Sequence, residues 1–316
     1  MLIKLNNEPF DVEKHQLMML PIFEEILDYL LTHQNQEVTL REIKRNISET
    51  TNMDHLIDEM IKDGFVSRHH GRYEYAGNFI SADEQGNLIN QVHRFLENIE
   101  INSLKEELNN KPAEERYLSV LHQLFKNGTS SDLTVYETTE NAKRWLKLPT
   151  RYTEVTGKKA TFFSFGTYQP YYSNNLSDYF NYLKLNHNDL PDEFLSIRKR
   201  IGDVNPSYFI NYCERKLRRL EKGKEAAVNK ADIFMETLYE MDYLKVEQEK
   251  YLFNLTRLPL NFELPSLVGL RDKLKNKLQD ISCDEKEVDF MISCLVLEWL
   301  VDQNLIHDFK KYHGVL

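Results

Sequence analysis

Cysteine, glycine and proline are all scarce in this 316-residue chain, at 3, 11 and 9 residues. The cysteines, Cys213, Cys283 and Cys294, show no paired spacing, and no Cys-x-x-Cys occurs. That speaks against a disulfide-stapled secreted scaffold and against a zinc ribbon. Few glycines and prolines favour long helices over many tight turns. The first ten residues hold no basic stretch followed by an apolar one, so no signal peptide is expected. The longest apolar run, residues 288–301, contains Asp289 and Glu298. As a helix it would span about 21 Å, too little for a bilayer. The expectation is a soluble, cytoplasmic protein with no membrane partner.

Catalytic signatures are missing as well. The chain has no G-x-x-x-x-G-K-[S/T], no G-x-G-x-x-G, no H-E-x-x-H and no G-x-S-x-G. His69 and His70 are adjacent on an expected hairpin, where neighbouring side chains point to opposite faces and cannot easily share one ion. His187 with Asp189 and Asp192 is a weak metal constellation. Pro191-Asp192 followed by Glu214-Arg215-Lys216 has the residue order of a metal-dependent nuclease. That chemistry needs its second motif on a strand, and both segments here have a helical pattern. No catalytic residue, metal or cofactor is expected, and the chain is read as non-enzymatic.

What is present suffices for a core. Hydrophobic residues make up 41% and charged residues 28%, ordinary values for two or three globular domains. The net charge of −10 is unevenly spread. Residues 1–100 carry 9 basic against 18 acidic side chains, whereas residues 141–224 carry 16 basic against 8 acidic. An acidic N-terminal third followed by a basic middle can still present a cationic face.

Residues 16–77 hold the clearest pattern. Phe23, Ile26, Leu27, Leu30 and Leu31 fall at helical spacing. Residues 37–40 are extended, and Thr39 with Glu42 forms a capping box ahead of a helix that buries Leu40, Ile43 and Ile47. A third helix buries Met53, Leu56, Ile57, Met60 and Ile61 and ends at Gly64. Phe65-Val66 and Tyr73-Glu74-Tyr75 are the arms of a hairpin turning at His69-His70-Gly71. This stretch resembles the winged helix-turn-helix superfamily, in its order of elements and in its third helix, Asp-Gly-Phe-Val, wing, Arg-Tyr-Glu-Tyr ending. The resemblance implies DNA binding through the third helix and the wing. The charges match that only in part. Glu49, Asp54, Asp58, Glu59 and Asp63 outnumber the single Lys62 along the third helix, a balance unsuited to phosphates. Arg41, Lys44 and Arg45 on the second helix, and Arg68 and Arg72 on the wing, are the candidate phosphate contacts there.

Beyond this unit a polar connector is expected at residues 77–85, closed by Gly86, then helices at 88–108 and 112–126. Residues 133–136 read as a strand, and residues 152–165 as a hairpin. Phe162, Phe163, Phe165, Tyr168, Tyr171, Tyr172, Tyr179, Phe180 and Tyr182 follow Lys143, Arg144, Lys147, Arg151, Lys158 and Lys159. Cations interleaved with aromatics suit single-stranded nucleic acid; the same pattern also suits an aromatic core beneath a basic surface. Asn205-Pro206 opens a helix closed by Gly223, with Tyr208, Phe209, Tyr212, Cys213, Leu217 and Leu220 as its apolar face. Arg215, Arg218, Arg219 and Lys222 form one basic stripe on it, and Arg198-Lys199-Arg200 ends the preceding helix. An anionic partner or simple complementation of helix C-termini accounts for them.

Residues 230–241 form a helix. A charged turn at Glu247-Gln248-Glu249 then separates Tyr243-Leu244 from Tyr251-Leu252-Phe253. Shifted by 178 residues, this matches the first wing without a gap, so a second winged-helix-like unit is one option and a helical bundle with a hairpin the other. A final helix at about 285–303, followed by Leu305-Ile306, repeats the ending more faintly.

The fold expected is mainly α with small β hairpins. A winged-helix domain (1–79) precedes a helical connector (80–128), a basic, aromatic-rich α+β region (129–228) and a helical C-terminal region (229–316). Two functions fit. One is a nucleic-acid-associated regulatory or accessory protein contacting DNA or single strands through the cations named above. The other is an assembly factor whose acidic winged helix docks a protein partner without touching DNA.

Overall fold

A computed structural model describes residues 1–5, 12–34, 36–47, 52–127, 133–157, 161–168, 175–185, 191–224, 226–228, 231–257, 262–278, 284–307 and 312–315. The chain begins with β1 (Leu2–Leu5), α1 (Val12–Met18), α2 (Pro21–Thr32), β2 (Val38–Thr39), α3 (Leu40–Asn46), α4 (Met53–Lys62), β3 (Val66–His69) and β4 (Arg72–Tyr75). It continues through β5 (Asn78–Ile80), α5 (Ala82–Leu96), α6 (Asn102–Asn109), α7 (Ala113–Phe125), β6 (Leu133–Tyr136), α8 (Glu140–Trp145), β7 (Arg151–Thr156) and β8 (Thr161–Gly166). Next come α9 (Leu176–Tyr182), α10 (Asp192–Ile201), α11 (Pro206–Glu221), α12 (Ile233–Glu240), β9 (Leu244–Glu247), β10 (Lys250–Phe253), β11 (Thr256–Arg257), α13 (Pro265–Lys275), α14 (Glu285–Asp302) and β12 (Tyr312–Val315). Helix predominates, and the sheets have only two to four strands.

Local chemistry sets these boundaries. Thr39 and Glu42 form a reciprocal capping box at α3, and Asn205 accepts from the Tyr208 amide at the start of α11. The polar connector expected at 77–85 is instead β5 followed by a capping box, Ser81 with Glu84, that starts α5 four residues before Gly86. The cap outweighs the roughly 1 kcal/mol that a mid-helix glycine costs. The single helix expected at 88–108 is two, α5 and α6, parted at residues 97–101.

Three cores organise the molecule. The first joins α2, α3, α4 and the β3–β4 hairpin around Phe23, Ile26, Leu27, Ile43, Met60 and Phe65, and includes Ile3, Leu133 and Val135 from further away. The second joins α9 to α12 and the β9–β10 hairpin around Tyr179, Phe194, Phe209, Leu238 and Tyr243. The third gathers α5 to α8, α13 and α14. A sheet ordered β1-β6-β5, with β1 antiparallel and β5 parallel to β6, fastens the chain's start to its middle.

One local unit recurs. At the end of α4, the Phe65 amide donates to the Met60 carbonyl (2.8 Å) and Gly64 takes φ +77°. After α12, Tyr243 donates to Leu238 (2.8 Å) and Asp242 takes φ +62°; after α14, Leu305 donates to Leu300 (2.9 Å) and Asn304 takes φ +57°. Each is a helix closed by a left-handed residue and a six-to-one hydrogen bond. The 178-residue shift carries β3 onto β9 and β4 onto β10 residue for residue. The turn pair His70-Gly71 falls on Gln248-Glu249, all four with positive φ. β2, paired with β4 through Thr39 and Arg72, has its counterpart in the Ala227–Lys250 bridge. In the third copy β12 starts 12 residues after Leu300, as β4 does after Met60; residues 308–311 between lie outside the described residues.

A Cβ at Gly64 would meet nothing within 4 Å, so a substitution there meets only backbone strain. Gly64→Ala is expected to cost about 1 kcal/mol and Asp242→Gly to gain up to about 1 kcal/mol. Urea unfolding of the two variants checks the opposite signs.

Candidate functional site

The expected cations fall on two units. In the first, Arg41 and Arg45 are exposed on α3, but Lys44 pairs with Asp54 at 2.6 Å. On the hairpin, Arg68 lies over the Tyr73 ring (5.5 Å) and Arg72 pairs with Glu37 at 3.1 Å. The outward face of α4 shows Asp54, His55, Asp58 and Glu59.

In the second unit, Arg198 and Lys199 are exposed at the end of α10, while Arg200 bridges Glu236 (3.3 Å) and Glu240 of α12. Along α11, Arg215 lies beside the Tyr212 ring (5.7 Å) and Arg218 pairs with Glu214 at 2.8 Å. Arg219 and Lys222 are exposed. Lys216 and Tyr212 both hold Asp232, the cap of α12, at 2.8 and 2.9 Å. The continuous stripe of four is therefore three exposed cations and one engaged in an ion pair. Glu214 is buried in α11 and Asp192 opens α10, so the nuclease-like residues all stand on helices. His187 and Asp189 lie outside the described residues. Among the described residues no three His, Cys, Asp or Glu side chains gather as a metal site would need, and no helix is long and apolar enough to cross a membrane.

Among the described residues the aromatics of this run form no exposed stacking surface. Phe162, Phe163, Phe165, Tyr168, Tyr179, Phe180 and Tyr182 are all buried; Tyr171 and Tyr172 lie outside the described residues. Their rings meet one another and the cores, because β7–β8 and α9 turn them inward. Tyr208, expected on the apolar face of α11, is 58% exposed instead. Also exposed are Leu195 on α10 and Ile233, Tyr239, Val246 and Leu252 on α12 and the β9–β10 hairpin.

A polar centre absent from the sequence reading lies under the β1-β6-β5 sheet. The Lys4 ammonium, fully buried, pairs with the fully buried Glu287 of α14. Tyr136 also donates to Glu287, and Thr134 donates to its other oxygen at 2.7 Å. The ammonium sits 3.8 Å from the Phe290 ring centre. Burial lowers the Lys4 pKa and Glu287 opposes that; burial raises the Tyr136 phenol well above its usual range. No motif marks these residues, since a lysine in a four-residue strand and a glutamate in a helix's first turn look like surface groups.

Two further buried polar features lie in the third core and beside it. His122 is enclosed by Tyr152, Phe163, Phe165 and Phe262, and neither ring nitrogen has a hydrogen-bond partner. Burial pushes its pKa down to about 3, so it is neutral. A cleft of about 570 Å³ between α5, α6, α8 and α14 is floored by Leu96, Leu295 and Trp299. It contains Glu298, whose pKa is raised by burial against the pull of Arg144, 2.7 Å away. Neither has the paired acid, base and nucleophile of a catalytic centre.

Residues 3–111 match a family model described as a domain of unknown function, DUF1803. That span runs from β1 through α6 and takes in roughly a third of the chain. Neither a curated protein nor a solved structure matches the chain.

Removing one partner of the buried pair strands the other. Lys4→Met and Glu287→Gln are each expected to cost about 3–5 kcal/mol in denaturant unfolding, and Lys4→Met combined with Glu287→Met to recover much of that loss. His122 generates a pH signature. Its unfolded form protonates near 6.5 and its folded form near 3, so stability is full above about 6.5 and falls as the pH drops through that window. The slope is at most about 1.4 kcal/mol per pH unit. His122→Leu should flatten the measured dependence by that amount.

Proposed function

We propose that the chain is a non-enzymatic assembly protein, that residues 16–77 are a winged helix, and that α11, residues 226–228, α12 and the β9–β10 hairpin are a second winged-helix-like unit. Both units act by docking protein. The observation that carries this reading is the composition of the two third helices. In a DNA-reading winged helix that element faces phosphates. Here α4 has the sequence MDHLIDEMIK, with Lys62 as its only Lys or Arg, and α12 has the sequence IFMETLYE, with none. Outward positions support it further. His55, Arg68 and Glu74 of the first unit correspond, at the 178-residue shift, to Ile233, Val246 and Leu252 of the second. The same frame thus exchanges polar groups for apolar ones that stand in solvent, which is the mark of a protein contact rather than of a packing need.

A second reading keeps the chain a nucleic-acid-associated regulatory protein. It rests on Arg198, Lys199, Arg215, Arg219 and Lys222, which are exposed and have no ion-pair partner among the described residues.

Titration with duplex and single-stranded DNA at several salt concentrations separates the two. The assembly reading expects no saturable binding at low salt. It is overturned by binding that weakens with log salt at a slope of about −0.9 per phosphate on duplex, or about −0.7 on single strands, and that Arg215→Glu, Arg219→Glu and Lys222→Glu together flatten by two to three units.

A further inference from the structure

The two charged territories of this chain sit on helices whose outward faces have matching order. On α2, the core side is Phe23, Ile26, Leu27 and Leu30, and the solvent side is Glu24, Glu25 and Asp28. Immediately before it, Met19 and Leu20 are 46% and 42% exposed. Leu20, Glu24 and Asp28 follow at steps of four, so one stripe leads from an apolar end to two carboxylates. On α11, Tyr208 is 58% exposed. Tyr212, Arg215, Arg219 and Lys222 succeed it at steps of three or four, so that stripe leads from an apolar end to three cations. The sense is the same in both helices. Leu20 to Asp28 spans about 12 Å and Tyr208 to Arg215 about 10 Å along the axes. Laid parallel, they bring Leu20 against Tyr208 and Asp28 against Arg215 and Arg219.

We infer that the docking partner of α11 is α2 of a second copy of this chain, a deepening that rests on the assembly reading. Charge complementarity selects this occupant. Residues 1–100 have twice as many acidic as basic side chains, and residues 141–224 have the reverse ratio. Two copies oriented head to tail bring those territories together, and like-charged alternatives repel. The exposed apolar residues at both stripe ends supply the water-excluding centre that charges alone do not. If a twofold axis relates the copies, each contact forms twice and the assembly closes as a dimer; without one it propagates as a ring or filament.

Sedimentation of the full chain over a range of concentrations and salt tests this. Wild type is expected to associate at low salt and to dissociate as salt rises. Arg215→Glu with Arg219→Glu leaves acid facing acid, and Glu24→Lys with Asp28→Lys leaves base facing base. Each pair should weaken self-association by at least about tenfold. Mixing the two variants, or placing all four changes in one chain, should restore it, which a merely misfolded variant cannot do. A wild type that stays monomeric at low salt, or association indifferent to the reversals, overturns the inference. A monomer that also fails to bind DNA leaves the assembly reading standing with a different partner, whereas salt-dependent DNA binding removes both.

Discussion

The fully buried Lys4–Glu287 pair is the constraint on which the rest of the structure turns. It joins a strand at the start of the chain to the longest helix near its end, through a sheet whose middle strand comes from residues 133–136. Desolvating two charges is expensive, so such a pair contributes little net stability by itself. What it supplies is selection. Lys4 pairs with Glu287, Glu287 accepts from Lys4, Thr134 and Tyr136 together, and any other register of β1 leaves a charge unpaired in an apolar surround. The first and third cores are thereby held at one mutual setting.

With that seam fixed, the outward faces of the units are what the molecule can offer. Each unit spends its apolar residues inward in the same way: Met60, Phe65 and Tyr73 in the first are matched by Leu238, Tyr243 and Tyr251 in the second, all buried. The closing hydrogen bond, the left-handed residue and the turn are likewise shared, although Asp242, Gln248 and Glu249 adopt positive φ without glycine. The two units thus share their inward chemistry and differ in their outward chemistry. An acidic α2 and α4 in the first unit and a cationic, apolar-tipped α11 in the second have opposite character.

Much of this was legible in the residues. Helical spacing of Phe23, Ile26, Leu27 and Leu30, the Thr39–Glu42 box and Gly64 defined the first unit, because amphipathic periodicity and caps are local signals. The ungapped match at a shift of 178 marked the second hairpin for the same reason. The start of α5 was obscured because Gly86 looks like a terminator, whereas the deciding signal was Ser81 with Glu84. The aromatic run around Phe162 to Tyr182 was ambiguous, since alternation along β8 cannot say that both its faces are covered until the second and third cores are assembled around it. Least legible was the Lys4 centre. Its four members are separated by up to 283 residues, and nothing in the neighbourhood of any one of them distinguishes it from a surface charge or a strand hydroxyl.

Native-state hydrogen exchange on Glu287→Gln compared with wild type tests the central claim most directly. If the buried pair holds the seam, amides of β1, β5 and β6 lose protection together with those of α14, while the closing amides Phe65 and Tyr243 of the two units keep theirs. Loss confined to the first turns of α14, with β1 and β6 as protected as before, would contradict the account.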